Sequence, residues 1–184
     1  MTRKNAKSTS QKESGKFGKL IAALMSSNLA LMNKIEGRLS EKFGAIDLAS
    51  DLFPFDYTEY YTEEMGKNLQ KKFISFDKMI AIENLPDIKN FTNAVEQEYA
   101  LDGNRRINID PGYVTHVQMV LATTKDYSHR IYLGQGIYAE LTYVCRKKIF
   151  QTLEWTYPDY REQFSLEFFL KIREKYLQQM REKR

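Results

Sequence analysis

The chain of 184 residues has one cysteine, two histidines and four prolines. A single thiol, Cys145, excludes an internal disulfide and any zinc site built from several cysteines. Two histidines exclude a three-histidine zinc site, and no other metal ligand set is predicted. Glycine-rich phosphate loops, a His-Glu-x-x-His helix and a Gly-x-Ser-x-Gly elbow are also missing. No sequence motif therefore assigns an enzyme class or a cofactor.

Long hydrophobic runs are missing as well. The apolar run nearest the N-terminus, Leu20–Met25, is too short for a membrane span and for the core of a signal peptide. We therefore expect no membrane partner, and the expected compartment is the cytoplasm.

The positive charge lies at the two ends of the chain. Residues 1–19 carry six basic side chains and one acidic, and residues 171–184 carry six basic and two acidic. Because the formal net charge of the whole chain is +4, residues 20–170 carry a net charge of −5. A nucleic-acid-binding domain is expected to be basic on its folded surface. Any nucleic-acid binding is therefore predicted to be weak and to depend on the ends.

The composition changes near residue 17. Residues 1–16 are rich in Lys and Ser and contain almost nothing apolar, so they cannot bury enough surface to offset their ordering entropy. This pattern predicts a disordered basic leader over residues 1–16. Residues 17–184 are predicted to form a single domain that ends in a helix.

The apolar pattern predicts an α+β fold. Asn28 is a typical N-cap before apolar residues at helical spacing, and a similar spacing marks the C-terminal helix. Between Arg106 and Val144 the apolar residues alternate, and the stretch Gly134-Gln135-Gly136 predicts a hairpin connection. We expect a mostly antiparallel sheet with a C-terminal three- to four-strand meander and helices packed mainly on one face.

Polar side chains in the alternating region form a candidate site. Arg106, Asn108 and Asp110 share one face of a regular strand, and Glu140 lies on the polar face of a later strand. Arg and Lys side chains pair with anions, and histidine and carboxylates supply acid and base groups. The predicted catalytic residues, if a reaction occurs, are Asp110, His129 and Glu140. The predicted ligand-binding residues are Arg106, Asn108, Lys125, Arg130, Tyr157 and Asp159, and the predicted ligand is an anionic small molecule such as a nucleotide or a sugar phosphate.

Four other interpretations stay open. The polar sheet face could be an ordinary solvated face with cross-strand ion pairs. The aromatic loops around Tyr57 and Tyr157 could be lids over the core. The protein could also be a non-enzymatic accessory protein that contacts RNA or a protein partner through its basic ends and aromatic loops, or a purely structural interaction domain.

Several stretches of the chain resemble one uncharacterised prokaryotic family, domain of unknown function 4416. Among them are FPFDYT at 53–58, NIDPGY at 108–113 and WTYPDYR at 155–161. The resemblance covers about residues 18–178, and it leaves the basic leader outside. It implies no activity, but it implies that polar residues in these stretches are features shared by the family. Polar side chains that packing does not require are better candidates for binding than for stability.

Overall fold

The computed structural model describes residues 16–183. The strands are β1 (Phe17–Ser26), β2 (Ile46–Ala49), β3 (Phe53–Pro54), β4 (Gln70–Ala81), β5 (Asn108–Val114), β6 (Gln118–Thr123), β7 (Arg130–Gly134), β8 (Ile137–Arg146) and β9 (Ile149–Thr152). The helices are α1 (Leu29–Phe43), α2 (Thr62–Met65), α3 (Leu85–Glu98), α4 (Pro158–Arg161) and α5 (Gln163–Glu182). The predicted leader lies outside the described residues except for Lys16, whose carbonyl accepts the Ile82 N–H at 3.0 Å.

The strands form one nine-stranded sheet in which the named pairs are antiparallel. Its main path runs β2-β4-β1-β5-β6-β8-β7, with β3 beside β4 and β9 beside β8. The α+β class with a mostly antiparallel sheet is therefore confirmed.

The C-terminal strands differ from a simple meander in one respect. β7 lies beside β8 at the edge of the sheet and does not contact β6 as a neighbour. The predicted hairpin connection joins β7 to β8 through Gln135 and Gly136, which both have positive φ. A two-residue loop of this kind matches the twist of paired strands. The longer connection over residues 124–129 lets the chain pass from β6 to the far side of β8.

Helices cover both faces of the sheet. α1 and α3 pack on one face, where Leu20, Leu24 and Ile109 of the sheet are buried. α5 packs on the other face, against Ile21 and Phe73. Two of the three long helices thus share a face, and the third lies opposite because β1 is apolar on both sides, as a central buried strand usually is.

Local signals fix the helix ends. The Asn28 side chain accepts the Leu31 N–H at 2.9 Å and so satisfies one of the free donors at the start of α1. α1 ends before Gly44, whose φ of 102° is easily adopted only by glycine. No helix among residues 16–183 is long and apolar enough to cross a membrane.

Candidate functional site

A cavity of about 710 Å³ lies on one side of the sheet strands β5, β6 and β8. Its other walls are the segment 55–61, Lys71 of β4, one side of α3, Arg105, the segment 124–127 and the segment 157–160. Six of the nine predicted site residues line the cavity: Asn108, Asp110, Lys125, Glu140, Tyr157 and Asp159. The fold therefore brings together residues that are up to 51 positions apart in the sequence.

Arg130 lies behind one wall of the cavity and forms hydrogen bonds with three residues of that wall. Its side chain is 1% exposed, and its Nε and Nη2 atoms lie 2.8 and 2.6 Å from Glu140 Oε2. Nη1 donates to the Lys125 carbonyl at 2.9 Å, and Nη2 donates to the Tyr157 hydroxyl at 2.8 Å. Arg130 therefore positions three lining residues, and its own side chain does not line the cavity. Its predicted role in binding an anion stays a prediction.

Glu140 and Arg130 face each other because of the β7–β8 hairpin. They are direct cross-strand partners in the sheet, and such opposite charges stabilise a strand pair. Glu140 is 1% exposed, so this position is not part of a solvated sheet face. Its Oε2 atom accepts from Arg130, whereas Oε1 is buried without a hydrogen-bond partner among the described residues.

His129 lies behind Glu140 as well. Its Nε2 atom is 3.3 Å from Glu140 Oε2, and its ring stacks on Trp155 with the centroids 5.0 Å apart. Trp155 is held in turn by a hydrogen bond from its Nε1 to the Leu141 carbonyl. His129 therefore contacts the cavity wall through Glu140, and it does not line the cavity itself.

Arg106 lies outside the cavity. β5 begins only at Asn108, and the carbonyl of Arg106 accepts the Ser26 hydroxyl at 2.6 Å before the strand starts. The Arg106 residue is exposed and borders a second, separate depression. The prediction that Arg106 shares one face with Asn108 and Asp110 is therefore wrong, because regular alternation does not extend back to residue 106.

The neighbouring Arg105 takes the position predicted for Arg106. It forms two parallel hydrogen bonds with Glu64, Nε to Oε1 at 2.6 Å and Nη2 to Oε2 at 2.7 Å. Its Nη1 atom donates to Asn108 Oδ1 at 2.9 Å. A planar guanidinium suits such a paired contact, so Arg105 fastens α2 to the start of β5.

Asp110 of β5 is the centre of a polar network in the wall of the cavity. Lys89 Nζ lies 3.3 Å from Asp110 Oδ1, and the Asn108 side-chain amide donates to Oδ2 at 2.6 Å. Burial alone would raise the pKa of Asp110, but the charges of Lys89 and Lys71 and the bond from Asn108 outweigh it and lower the pKa. Asp110 is therefore ionised at neutral pH and is a weak base.

Glu96 of α3 has the opposite titration behaviour. Its residue is 4% exposed, and burial raises its pKa despite the nearby charge of Lys89. Its Oε1 atom accepts the Ile109 N–H at 2.6 Å. Glu96 and Asp110 both line the cavity, and their pKa values are shifted in opposite directions. Glu96 is better suited to hold a proton than Asp110.

Lys71 and Asp159 form a buried ion pair in the wall of the cavity. The distance from Lys71 Nζ to Asp159 Oδ2 is 2.6 Å, and the two side chains are 7% and 2% exposed. The ammonium group also lies over the rings of Phe55 and Tyr160, at 5.0 and 4.8 Å from their centroids. The pair orders the segment 157–160 against β4.

Lys125 differs from the other lining lysines. Its Nζ atom donates to the Tyr60 hydroxyl at 3.2 Å and lies 4.4 Å from the centre of the Tyr60 ring. No carboxylate lies within 4.0 Å of this ammonium group in the described part of the chain. Lys125 therefore keeps an uncompensated positive charge at the exposed side of the cavity.

Sequence reasoning missed four charged residues that line the cavity, namely Lys71, Lys89, Glu96 and Arg105. The sequence of α3 contained one signal for two of them. Lys89 directly follows the apolar Ile88, and seven residues later Glu96 directly follows the apolar Val95, so both charged residues lie beside the apolar stripe of the helix. In the structure both are buried. Charged residues beside an apolar stripe are seldom buried without a partner.

No group of three or more His, Cys, Asp or Glu side chains within residues 16–183 is arranged to hold a metal ion. A family model described as Domain of unknown function (DUF4416) matches residues 16–176 of the chain. No curated protein and no solved structure matches the chain.

Proposed function

The chain belongs to the family described as a domain of unknown function (DUF4416), and we propose that its cavity binds a small anionic molecule such as a nucleotide or a sugar phosphate. The observation that supports this proposal most directly is the uncompensated ammonium group of Lys125 in the cavity wall. The other charged groups of the wall are paired with each other, so an anion adds the partner that Lys125 lacks.

Tyrosine hydroxyls near Lys125 supply further donors. Tyr157 accepts from Arg130, which leaves its own proton free to donate toward the cavity. Burial and the charge of Glu140 raise the pKa of Tyr157 to about 12, so this proton stays bound at neutral pH. Tyr60 accepts from Lys125 in the same manner. Hydroxyl groups that protein partners already orient can donate a hydrogen bond to a phosphate oxygen without reorganisation.

The size and the aromatic content of the cavity fit such a ligand. Small-molecule sites in proteins usually enclose about 300–1,000 Å³ and combine apolar or aromatic walls with a few oriented polar groups. The walls here include five tyrosines outside the core, at positions 57, 60, 61, 127 and 157. Tyrosine faces can stack on a base or on the apolar face of a sugar.

The proposal concerns binding and assigns no reaction. Both oxygens of Asp110 already have partners, and its lowered pKa makes it a weak base. His129 reaches the cavity only through Glu140. A general base must lie within hydrogen-bond reach of the proton it takes, and neither group offers a free atom in that position.

A thermal-shift experiment tests the proposal with AMP, ribose phosphate and inorganic phosphate. At a concentration of about 100 times the dissociation constant, a ligand stabilises the fold by about 2.7 kcal/mol. For a domain of this size, that raises the melting temperature by roughly 5–10 °C. The variant Lys125→Ala should lose most of this shift, because it removes the unpaired charge.

Arg106→Ala is the matched control. It removes one exposed positive charge from the same protein but lies outside the cavity. Its shift should equal that of the wild type. The proposal is wrong if none of the three probes raises the melting temperature, or if both variants lose the shift equally, since the effect would then reflect net charge alone.

A further inference from the structure

Only one of the two oxygen atoms of the Glu140 carboxylate has a hydrogen-bond partner among the described residues. Oε2 lies within 2.6 to 3.3 Å of three nitrogen atoms, two from Arg130 and one from His129. Oε1 has no partner among the described residues, although its residue is 1% exposed and lines the cavity. Buried polar atoms are nearly always hydrogen-bonded, and a buried acceptor without a donor destabilises the fold.

The surroundings of Glu140 favour a neutral donor for Oε1. The Glu140 carboxylate already has a cationic partner, because the buried guanidinium of Arg130 balances its charge. A second cation from a ligand is therefore not required for charge balance, and Oε1 needs only a hydrogen-bond donor. A hydroxyl group donates a hydrogen bond and carries no charge.

Building on the proposed function, we propose that Glu140 Oε1 accepts a hydrogen bond from a hydroxyl group of the bound anion, so that the site selects hydroxyl-bearing phosphates such as sugar phosphates and ribonucleotides. Lys125 and Tyr157 bind the anionic end of the ligand. Glu140 accepts the hydrogen bond from the sugar hydroxyl. Arg130 contacts Glu140, Lys125 and Tyr157, and it therefore fixes the distance between the hydroxyl-binding and the anion-binding parts of the site. A site built to pair a hydroxyl rejects an analogue that lacks it, because the buried acceptor is then left unpaired.

The substitution Glu140→Gln tests this role with little change in shape. The carboxamide oxygen must occupy the position of Oε2, because Arg130 and the N–H form of His129 offer only donors there. Its amide nitrogen then occupies the position of Oε1 and presents donors to the cavity. The substitution therefore converts the acceptor that meets the hydroxyl into a donor.

The measurement is calorimetric titration with two matched pairs of probes. AMP is compared with dideoxy-AMP, which lacks the ribose hydroxyls, and ribose phosphate is compared with tetrahydrofurfuryl phosphate, which has the ring and the phosphate only. In the wild type, at least one hydroxylated probe should bind roughly tenfold to a hundredfold more tightly than its partner, as expected for a hydrogen bond to a charged group. In Glu140→Gln this ratio should fall to about one through weaker binding of the hydroxylated probe.

Glu98→Gln, at an exposed carboxylate outside the cavity, is the control and should keep the wild-type ratio. Equal binding within both pairs in the wild type would refute the role of Glu140 while the proposed function stands. Absence of binding by all four probes would refute the proposed function itself. The wild-type ratio needs no variant, so the test remains decisive if Glu140→Gln does not fold.

Discussion

Replacing Lys71 with methionine isolates the energetic role of one buried charge. Methionine keeps an unbranched apolar chain against Phe55 and Tyr160 but removes the ammonium group. Asp159, whose side chain is 2% exposed, would then lose its ion-pair partner. The polar contact of its carboxylate with the rest of the protein is the 2.6 Å bond from Lys71.

The expected loss follows from this burial. Removing one member of a buried ion pair leaves an uncompensated charge and typically costs about 3–5 kcal/mol. For a domain of this size, this corresponds to a fall in melting temperature of roughly 6–20 °C. Calorimetry or circular dichroism would measure the melting temperature, and urea unfolding would give the change in the free energy of unfolding.

The pair Arg38–Glu98 offers a matched control. Its N···O distance is also 2.6 Å, but its side chains are 38% and 47% exposed. Exposed pairs contribute about 0–1 kcal/mol, so Arg38→Met should lower the melting temperature by less than about 4 °C. The double variant Lys71→Met with Asp159→Leu should recover most of the lost stability, because both buried charges are gone. Equal and small effects of Lys71→Met and Arg38→Met would refute the reasoning.

Three further outcomes follow from the fold. Asn28→Ala should lower the free energy of unfolding by about 1 kcal/mol through loss of the N-cap, and Asn28→Ser should restore most of it, as urea unfolding would show. Burial raises the pKa of Asp47, but bonds from Lys19, Ser75 and Lys175 lower it below 3.8 overall. The ionised Asp47 therefore stabilises the fold near neutral pH, and this stabilisation is lost as the pH falls through the folded-state pKa. In Asp47→Asn the midpoint of urea unfolding should consequently depend less on pH in the acid range than it does in the wild type. Deletion of residues 1–15 should leave the melting temperature unchanged and should weaken any salt-sensitive RNA binding; tight binding by the shortened chain at moderate salt would instead favour an RNA accessory role.

Local sequence patterns predicted the parts of the fold that depend on neighbouring residues. Period-two alternation identified the strands around Ile109 and Leu141, and the stretch Gly134-Gln135-Gly136 identified the hairpin. The exact pairing of Arg130 with Glu140 also depends on a register shift between Tyr132 and Gly134, which alternation does not predict. Alternation carries no information about which strand lies next to which. The hairpin signal predicts that β7 lies beside β8, but the pairing of β6 with β8 instead of β7 depends on tertiary contacts that the sequence pattern does not contain.

The same limit explains the residues that were misassigned or missed. Arg106 was predicted to lie in a strand because the alternation was extended back from Asn108 to residue 106. In the structure the strand begins at Asn108, and the Arg106 carbonyl accepts a hydrogen bond from the Ser26 hydroxyl. Lys71 was not identified from the sequence, since its partner Asp159 is 88 positions away. A buried ammonium group needs a partner such as a carboxylate, and a pairing over this separation is a property of the folded chain.

Fluorescence of the single tryptophan tests the proposed binding most directly. Trp155 stacks on His129, which contacts Glu140 at the wall of the cavity. Titration of AMP or ribose phosphate, with excitation outside the absorption of tyrosine, should change the Trp155 emission to a saturating value. The dissociation constant should be weaker in Lys125→Ala and unchanged in Arg106→Ala. A phosphate that raises the melting temperature but leaves the Trp155 emission unchanged would contradict binding in this cavity.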